Sequence, residues 1–175
     1  MSLVLGVTGP SGSGKSTVCR HLCEHFDALH VSYGSYIRSI AAQRSIPDDL
    51  QSLQRLGLEL HQTLGAERLT AVTLEFAGDD GETNLVLDGI RHVDIWHACK
   101  ALRPQKILVY VDASEAELQS RLANRDGWDA DYVKQVHGHR LEVQVRDQLL
   151  PLADVVVSSA DVRAAISQIE AALTP

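Results

Sequence analysis

The sequence predicts an α/β fold: a parallel sheet covered by helices on both faces. Three observations carry this. Short apolar runs recur at residues 3–7, 28–31, 85–87, 107–111 and 155–157. Each run is continuous and, apart from His30, without polar side chains, instead of alternating, which is the pattern of a strand buried on both faces. Segments with helical spacing separate the runs, so right-handed crossovers connect parallel neighbours.

The elements follow in order. Residues 3–7, Leu-Val-Leu-Gly-Val, form the first strand, and Val18, Leu22 and Phe26 share a helix face with Cys19 and Cys23. Between them lies Gly-Pro-Ser-Gly-Ser-Gly-Lys-Ser-Thr, residues 9–17. Residues 28–31 are the second strand, 32–35 a turn, and 36–42 a short helix. Residues 46–49 are a break with helix-start character. Leu53, Leu56, Leu60 and Leu64 mark an amphipathic helix stopped by Gly65. A further helix places Leu69, Val72, Thr73 and Phe76 on one side, and 78–83 is a polar loop. The third strand, 85–87, ends on Asp88-Gly-Ile-Arg91, and Asp94 is placed to cap a helix through Leu102. Residues 107–111 are the most β-like run. Ser114-Glu-Ala-Glu117 is a capping box opening a helix with Arg121 and Arg125. Residues 126–131 form a polar, mobile segment, and a charged helix runs through Arg140 and Arg146. The fifth strand, 155–157, is followed by a helix capped by Asp161, with Val162, Ile166, Ile169 and Leu173 inward.

The spacing Gly9, Gly14, Lys15, Ser16 fits G-x-x-x-x-G-K-[ST] in full. Gly9, Gly12 and Gly14 let the backbone turn its N–H groups, those of Ser11 and Ser13 included, toward an anion. The helix N-terminus at Ser16 and Thr17 adds donors and about half a positive charge. Lys15 reaches β- and γ-phosphates, and Ser16 is placed to ligate Mg²⁺.

Ligands of parallel sheets bind at the carboxyl ends of the strands. Three polar stretches sit there: the glycine loop, residues 32–38, and residues 88–91. Asp88 is placed to hold a water of the Mg²⁺ shell or to steer Lys15. Arg38 and Arg91 lie on two rims and suit a second anion, since guanidinium forks bind phosphate bidentately. Arg121, Arg125, Arg140 and Arg146 surround one polar segment and read as a lid over phosphates. Between Ala28 and Pro47 there is no Asp or Glu. A phosphate acceptor fits this rim, because it is already ionised and needs no base; a hydroxyl acceptor would call on Asp88, Glu59 or His30.

Bulk properties narrow the classes. The 175 residues suffice for one domain, 1–175, with 32–78 as a helical acceptor-binding region and 121–146 as a lid. A net charge of −7 argues against long nucleic acid as the main ligand. No apolar run approaches about 18 residues, so no membrane partner is expected. Cys19, Cys23 and Cys99 show no disulfide or zinc spacing, and no leader pattern opens the chain. A cytoplasmic protein is expected. The histidines are scattered, His137 and His139 being the only close pair, and are expected to be solvated or capping.

The chain resembles P-loop nucleoside monophosphate kinases, most closely small kinases related to adenylate kinase. Residues 9–17 resemble the Walker A loop. Val31-Ser-Tyr-Gly-Ser-Tyr-Ile-Arg38 is similar to the family's S-x-G-D-x-x-R, with Ser35 where Asp is usual. Asp88-Gly-Ile-Arg91 is similar to D-G-I-R at the end of the third strand. Arg121 and Arg125 resemble the arginine pair opening the lid, and Arg140 a lid arginine on the γ-phosphate. The resemblance implies a three-layer α/β/α P-loop NTPase fold with five parallel strands in the order 2-3-1-4-5. It implies ATP and Mg²⁺ as cofactors, Ser35, Arg38 and Arg91 on the acceptor, and Ser158 and Ser159 near the adenine. The expected activity is γ-phosphoryl transfer to a nucleoside monophosphate or a similar phosphorylated small molecule. A weaker similarity to dephospho-CoA kinase rests on residues 121–127 and 152–156, but that family's aspartate after the second strand is missing. An ATP-dependent switch is the alternative of another class; N-K-x-D and L-S-G-G-Q are both absent.

Overall fold

The computed structural model describes residues 2–126 and 140–174, except for the side chains of residues 125, 126, 140 and 141. The expected polar segment beyond residue 126 and the His137/His139 pair lie outside the described residues.

Five strands form one parallel sheet in the order β2-β3-β1-β4-β5. They are β1 (Leu3–Thr8), β2 (Ala28–Ser32), β3 (Asn84–Asp88), β4 (Gln105–Asp112) and β5 (Val155–Ser158). The α-helices are α1 (Lys15–Phe26), α2 (Tyr33–Gln43), α3 (Leu50–Ala77), α4 (Val93–Cys99), α5 (Glu115–Asp126), α6 (Arg140–Gln144) and α7 (Val162–Leu173). A π-helical turn, Val145–Leu149, follows α6. Among the described residues no helix is long and apolar enough to cross a membrane.

The period-2 geometry of a strand sorts the core into two layers. Leu3, Leu5, Val7, Val86, Val109 and Val111 pack on Val18, Cys19 and Leu22 of α1 and on Ala165 and Ile169 of α7. Val4, Val31, Leu85, Leu87, Leu108 and Tyr110 face the other way, onto α2, α3, α4 and the turn after α6. Trp96 of α4 is buried against Gly6, where a Cβ would lie 2.6 Å from the indole ring. The bare backbone of β1 is therefore what lets α4 approach the sheet.

Several local expectations are corrected. Helix α2 begins at Tyr33, not after residue 35, because the Ser32 side chain accepts the Ser35 N–H (3.2 Å) and caps it. Helix α4 has His92 at its N-cap position, and Asp94 sits in its first turn, held by His61 Nε2 at 2.8 Å. That helix ends at Cys99 and does not reach Leu102. Phe76 is half exposed, edge-on to Tyr36. The expected stop at Gly65 is present: its φ of 74° and ψ of 166° are non-helical and divide α3 into two helical segments at a kink. The Ser114/Glu117 capping box is present in both directions, at 2.9 and 3.3 Å.

At the amino ends of the strands, Arg103 is buried and pairs with Asp79 at 2.6 Å. It also donates to the carbonyls of Thr83 and Leu102, tying the end of α3 to the loops before β3 and β4. Removing one partner of a buried pair leaves an uncompensated charge. Arg103→Ala is expected to destabilise the fold by about 3 kcal/mol, a fall in Tm of roughly 6–12 °C by thermal unfolding. A change below about 1 kcal/mol would show the pair to be dispensable.

Candidate functional site

The site is built where β1 ends. Gly9, Gly12 and Gly14 all have positive φ, at 141°, 85° and 91°. At Gly14 a Cβ would also fall 2.4 Å from Ser159 Oγ, so both backbone angle and space demand glycine. Gly14 is the N-cap position of α1 and provides no side-chain cap; the Thr17 N–H donates to Gly14 O at 3.0 Å, and the N–H groups of Lys15 and Ser16 are the ones that open the helix toward an anion. Ser16 and Thr17 stand exposed in that first turn. Ser13 Oγ is buried without a hydrogen-bond partner. Lys15 Nζ donates to the carbonyls of Gly9 and Pro10, both at 2.8 Å, and closes the loop on itself. Burial, and then the neighbouring Arg91 charge, hold its ammonium down at about 8; Glu142 and Asp88 oppose the shift.

The second wall comes from the end of β3. Val7 is in register with Asp88. The N–H groups of Gly89 and Ile90 both donate to Val7 O (3.2 and 3.3 Å), and Thr8 Oγ1 donates to Ile90 O at 2.7 Å. These bonds carry the turn past the glycine loop and set Arg91 beside it. Asp88 meets His30 Nε2 at 3.3 Å, and its oxygen lies within 4.8 Å of Cys19 Sγ. The Asp88 hydrogen bond raises the His30 pKa above its ordinary value, against a smaller opposing effect of burial.

The least expected member is Glu142, on α6. Its side chain is only 2 % exposed. One carboxylate oxygen accepts Ser11 N–H at 2.9 Å; the other accepts Ser11 Oγ at 2.7 Å and Arg91 Nη1 at 2.5 Å. Burial alone would raise its pKa, but the Arg91 charge, both Ser11 bonds and Lys15 outweigh it and hold the acid at about 2.

On the side of the loop facing β5, Arg121 Nη1 donates to Ser13 O and Ser159 Oγ, both at 2.9 Å, and Ser159 Oγ donates to Ser13 O at 2.7 Å. Ser159 thus lies against the loop, with Ser158 closing β5 just before it.

A cleft of about 260 Å³ opens on the other side of Lys15. Lys15, Arg38, Asp88 and Arg91 line it together with Tyr33, Gln54, His61 and His92. Arg38 is exposed on the rim, its Nε 3.2 Å from Asp48. His61 and His92 stack with centroids 4.1 Å apart and an interplanar angle of 6°. Tyr33 is buried behind the cleft, its hydroxyl 3.0 Å from Thr70 Oγ1.

Of the residues singled out from sequence, Lys15, Arg38, Asp88 and Arg91 therefore share one cleft, and Arg121 lies against the loop. Ser35 is exposed and Ser32 lines the cleft in its place. Arg146 is exposed and paired with Asp147. The side chains of Arg125 and Arg140 lie outside the described residues. Sequence reasoning missed Glu142 and the stacked His61/His92 pair. Contacts spanning 131 residues, as between Ser11 and Glu142, leave no local pattern to read. The period-4 leucine stripe of α3 did not flag His61 on its cleft side.

The folded pKa of Glu142 lies below its unfolded value. Its stabilisation is present at pH values above about 4.5 and is lost as the pH falls toward 2. The Tm difference between the parent chain and Glu142→Gln is expected to be constant above about pH 5.5 and to shrink through that window, with about 3 kcal/mol at stake. A pH-independent difference would remove the ion pair as its origin.

Residues 8–137 match the AAA_17 family, described as an AAA domain. A cytidylate kinase of Thermococcus kodakarensis is 30% identical over 125 residues, covering 71% of this chain and 58% of that protein. An adenylate kinase of Prochlorococcus marinus is 26% identical over 153 residues, covering 83% and 78%. The chain spans about three fifths to two thirds of the length of several such curated relatives. A solved structure from Thermus thermophilus superposes with a TM-score of 0.64 over 99% of both chains at 18% identity, a likeness of fold. With more than half of its length matched, including the glycine loop, the cleft and the turn at Asp88, the chain belongs to the AAA_17 family of P-loop domains and counts cytidylate and adenylate kinases among its relatives.

Proposed function

We propose that the chain transfers the γ-phosphoryl group of Mg-ATP to a phosphorylated small molecule, a nucleoside monophosphate before others. The observation that carries this reading is the cleft itself: it has Lys15 of the glycine loop at one end and Arg38 and Arg91 beside the space a second anion would fill.

The donor set fits a triphosphate. Three positive-φ glycines, the start of α1, Lys15 and the unpartnered Ser13 hydroxyl converge there, and a carboxylate already lies on Ser11 N–H. Residues 9–17 hold the donor phosphates, and Lys15 offsets charge on the group in transfer. Ser16 and, through water, Asp88 hold Mg²⁺, with His30 steadying Asp88. Bound Mg²⁺ neutralises charge on the β- and γ-oxygens. Arg38 and Arg91 fix the acceptor, and Arg121, Arg125 and Arg140 close over the reaction and exclude water. In this reading residues 32–78 bind the acceptor and 121–146 form the lid.

The choice of a phosphate acceptor has separate support. Among the described residues lining the cleft, Asp88 is the sole carboxylate. Committed to Mg²⁺, it is not free to deprotonate a hydroxyl, whereas an acceptor phosphate is already ionised. The relatives named cytidylate and adenylate kinases point the same way.

The test mixes ATP, Mg²⁺ and a panel of nucleoside monophosphates with dephospho-CoA as a hydroxyl acceptor. ADP release that requires one monophosphate is the expected result. Lys15→Met is expected to lower turnover by at least about 100-fold. Arg38→Ala is expected to raise the acceptor KM roughly 10- to 100-fold and leave the ATP KM unchanged. Slow ADP release indifferent to every acceptor would replace this reading with a nucleotide-driven switch.

A further inference from the structure

Glu142 is a charged group that the proposed reaction does not use. Its carboxylate takes Ser11 N–H, the Ser11 hydroxyl and Arg91 Nη1 together, shielded from solvent. Those are donors of the glycine loop and of the acceptor side, so the carboxylate bridges the place where donor and acceptor anions would meet. It is the shape and charge of a phosphate fragment already in position. Its acidity excludes a role as general base: held at about 2, it takes up no proton near neutral pH. It cannot be titrated out of the way either.

We infer that Glu142 is an intramolecular occupant of the phosphoryl-transfer position, which an incoming nucleotide must evict before Arg91 becomes available to the acceptor. This rests on the nucleotide reading above and adds to it a binding order, donor before acceptor. The single Ser11 N–H cannot serve Glu142 and a phosphate at once, the Arg91 charge is already neutralised by Glu142, and leaving both anions in one desolvated nest costs like-charge repulsion. Eviction hands Ser11 N–H to the donor and frees the Arg91 guanidinium, which otherwise stays neutralised.

Because the contact exists only in the empty chain, it contributes to stability only there. Thermal unfolding of the parent chain, Glu142→Gln and Glu142→Ala is compared without ligand and in saturating Mg-AMP-PNP. Without ligand the variants are expected to melt about 5–10 °C lower. In AMP-PNP the three are expected to melt within about 2 °C of one another, and pyrophosphate is expected to bind the variants roughly 10- to 100-fold more tightly. A melting deficit of the same size with and without AMP-PNP overturns the inference, since Glu142 would then keep its contacts in the complex. That outcome leaves the nucleotide reading intact, because the parent chain has bound the analogue. If neither parent nor variants bind AMP-PNP or pyrophosphate, both readings fall. The isosteric Gln keeps the comparison usable should Ala not fold. Hydrogen exchange on the parent chain gives an independent measure: residues 140–149 exchange faster when AMP-PNP binds if Glu142 is evicted, and unchanged or slower exchange counts against it.

Discussion

The pairing of β1 with β3 is the constraint on which the site depends. It sets Val7 opposite Asp88 and extends past the sheet, where Val7 O accepts two N–H groups from the turn and Thr8 holds Ile90 O. The two chain segments with the most chemistry, residues 9–17 and 88–91, leave the sheet from adjacent strands in the same direction. A parallel sheet makes this the natural place for a ligand, because neighbouring strands carry their loops out at the same edge. A shift of one residue in that register would swap the side chains of β3 between the two helix layers. It would also move Arg91 off the loop. Fold stability and site geometry therefore rest on the same backbone bonds.

Charge in the site is balanced before any ligand enters. Arg91 lies close enough to Lys15 to be the second cause, after burial, of the lowered Lys15 pKa. Asp88 and Glu142 offset them. Two cations and two carboxylates in one partly desolvated corner make a site that attracts a polyanion only by exchanging partners. Charge complementarity is thus held in reserve, and ligand affinity is set by the difference between two ion-paired states, not by the bare cation count.

What the sequence disclosed and what it hid divides along contact range. The glycine loop is a contiguous pattern whose residue types follow from local backbone angles, and the five strands announce themselves as apolar runs. Even the capping box of α5 is a spacing of three. The strand order came only from family resemblance, because no periodicity encodes which strand lies beside which. Local contacts explain the small errors: the Ser32 cap won residues 33–35 for α2, and α4 starts one residue before Asp94, whose carboxylate then bridges His61 and the Ile95 N–H inside the first turn. Glu142 was invisible for a different reason. It is one acid in a charged stretch, and its meaning comes from Ser11 and Arg91, 131 and 51 residues away. A long-range ion pair has no signature until the fold places its ends.

The two sides of Lys15 are built differently, and in the proposed reaction this bears on what each would recognise. The glycine-loop side, proposed for the donor, is backbone: amide groups, carbonyls and a lysine locked to its own loop, all fastened to buried strands. Such a nest reads charge and shape and tolerates little change. The cleft on the other side, proposed for the acceptor, is lined by side chains of α2, α3 and α4, with Gln54, His61 and His92 supplying polar edges among Leu53, Leu58 and Ile95. A planar pair of stacked imidazoles next to an apolar wall offers both a π-face and hydrogen-bonding edges, the contacts that distinguish one ring from another. Under the proposed reaction, donor identity would therefore be fixed by the part of the chain that folding itself requires. Acceptor identity would rest on a few helix side chains that can be exchanged without disturbing the sheet, so differences in acceptor among chains of this fold are expected to collect there.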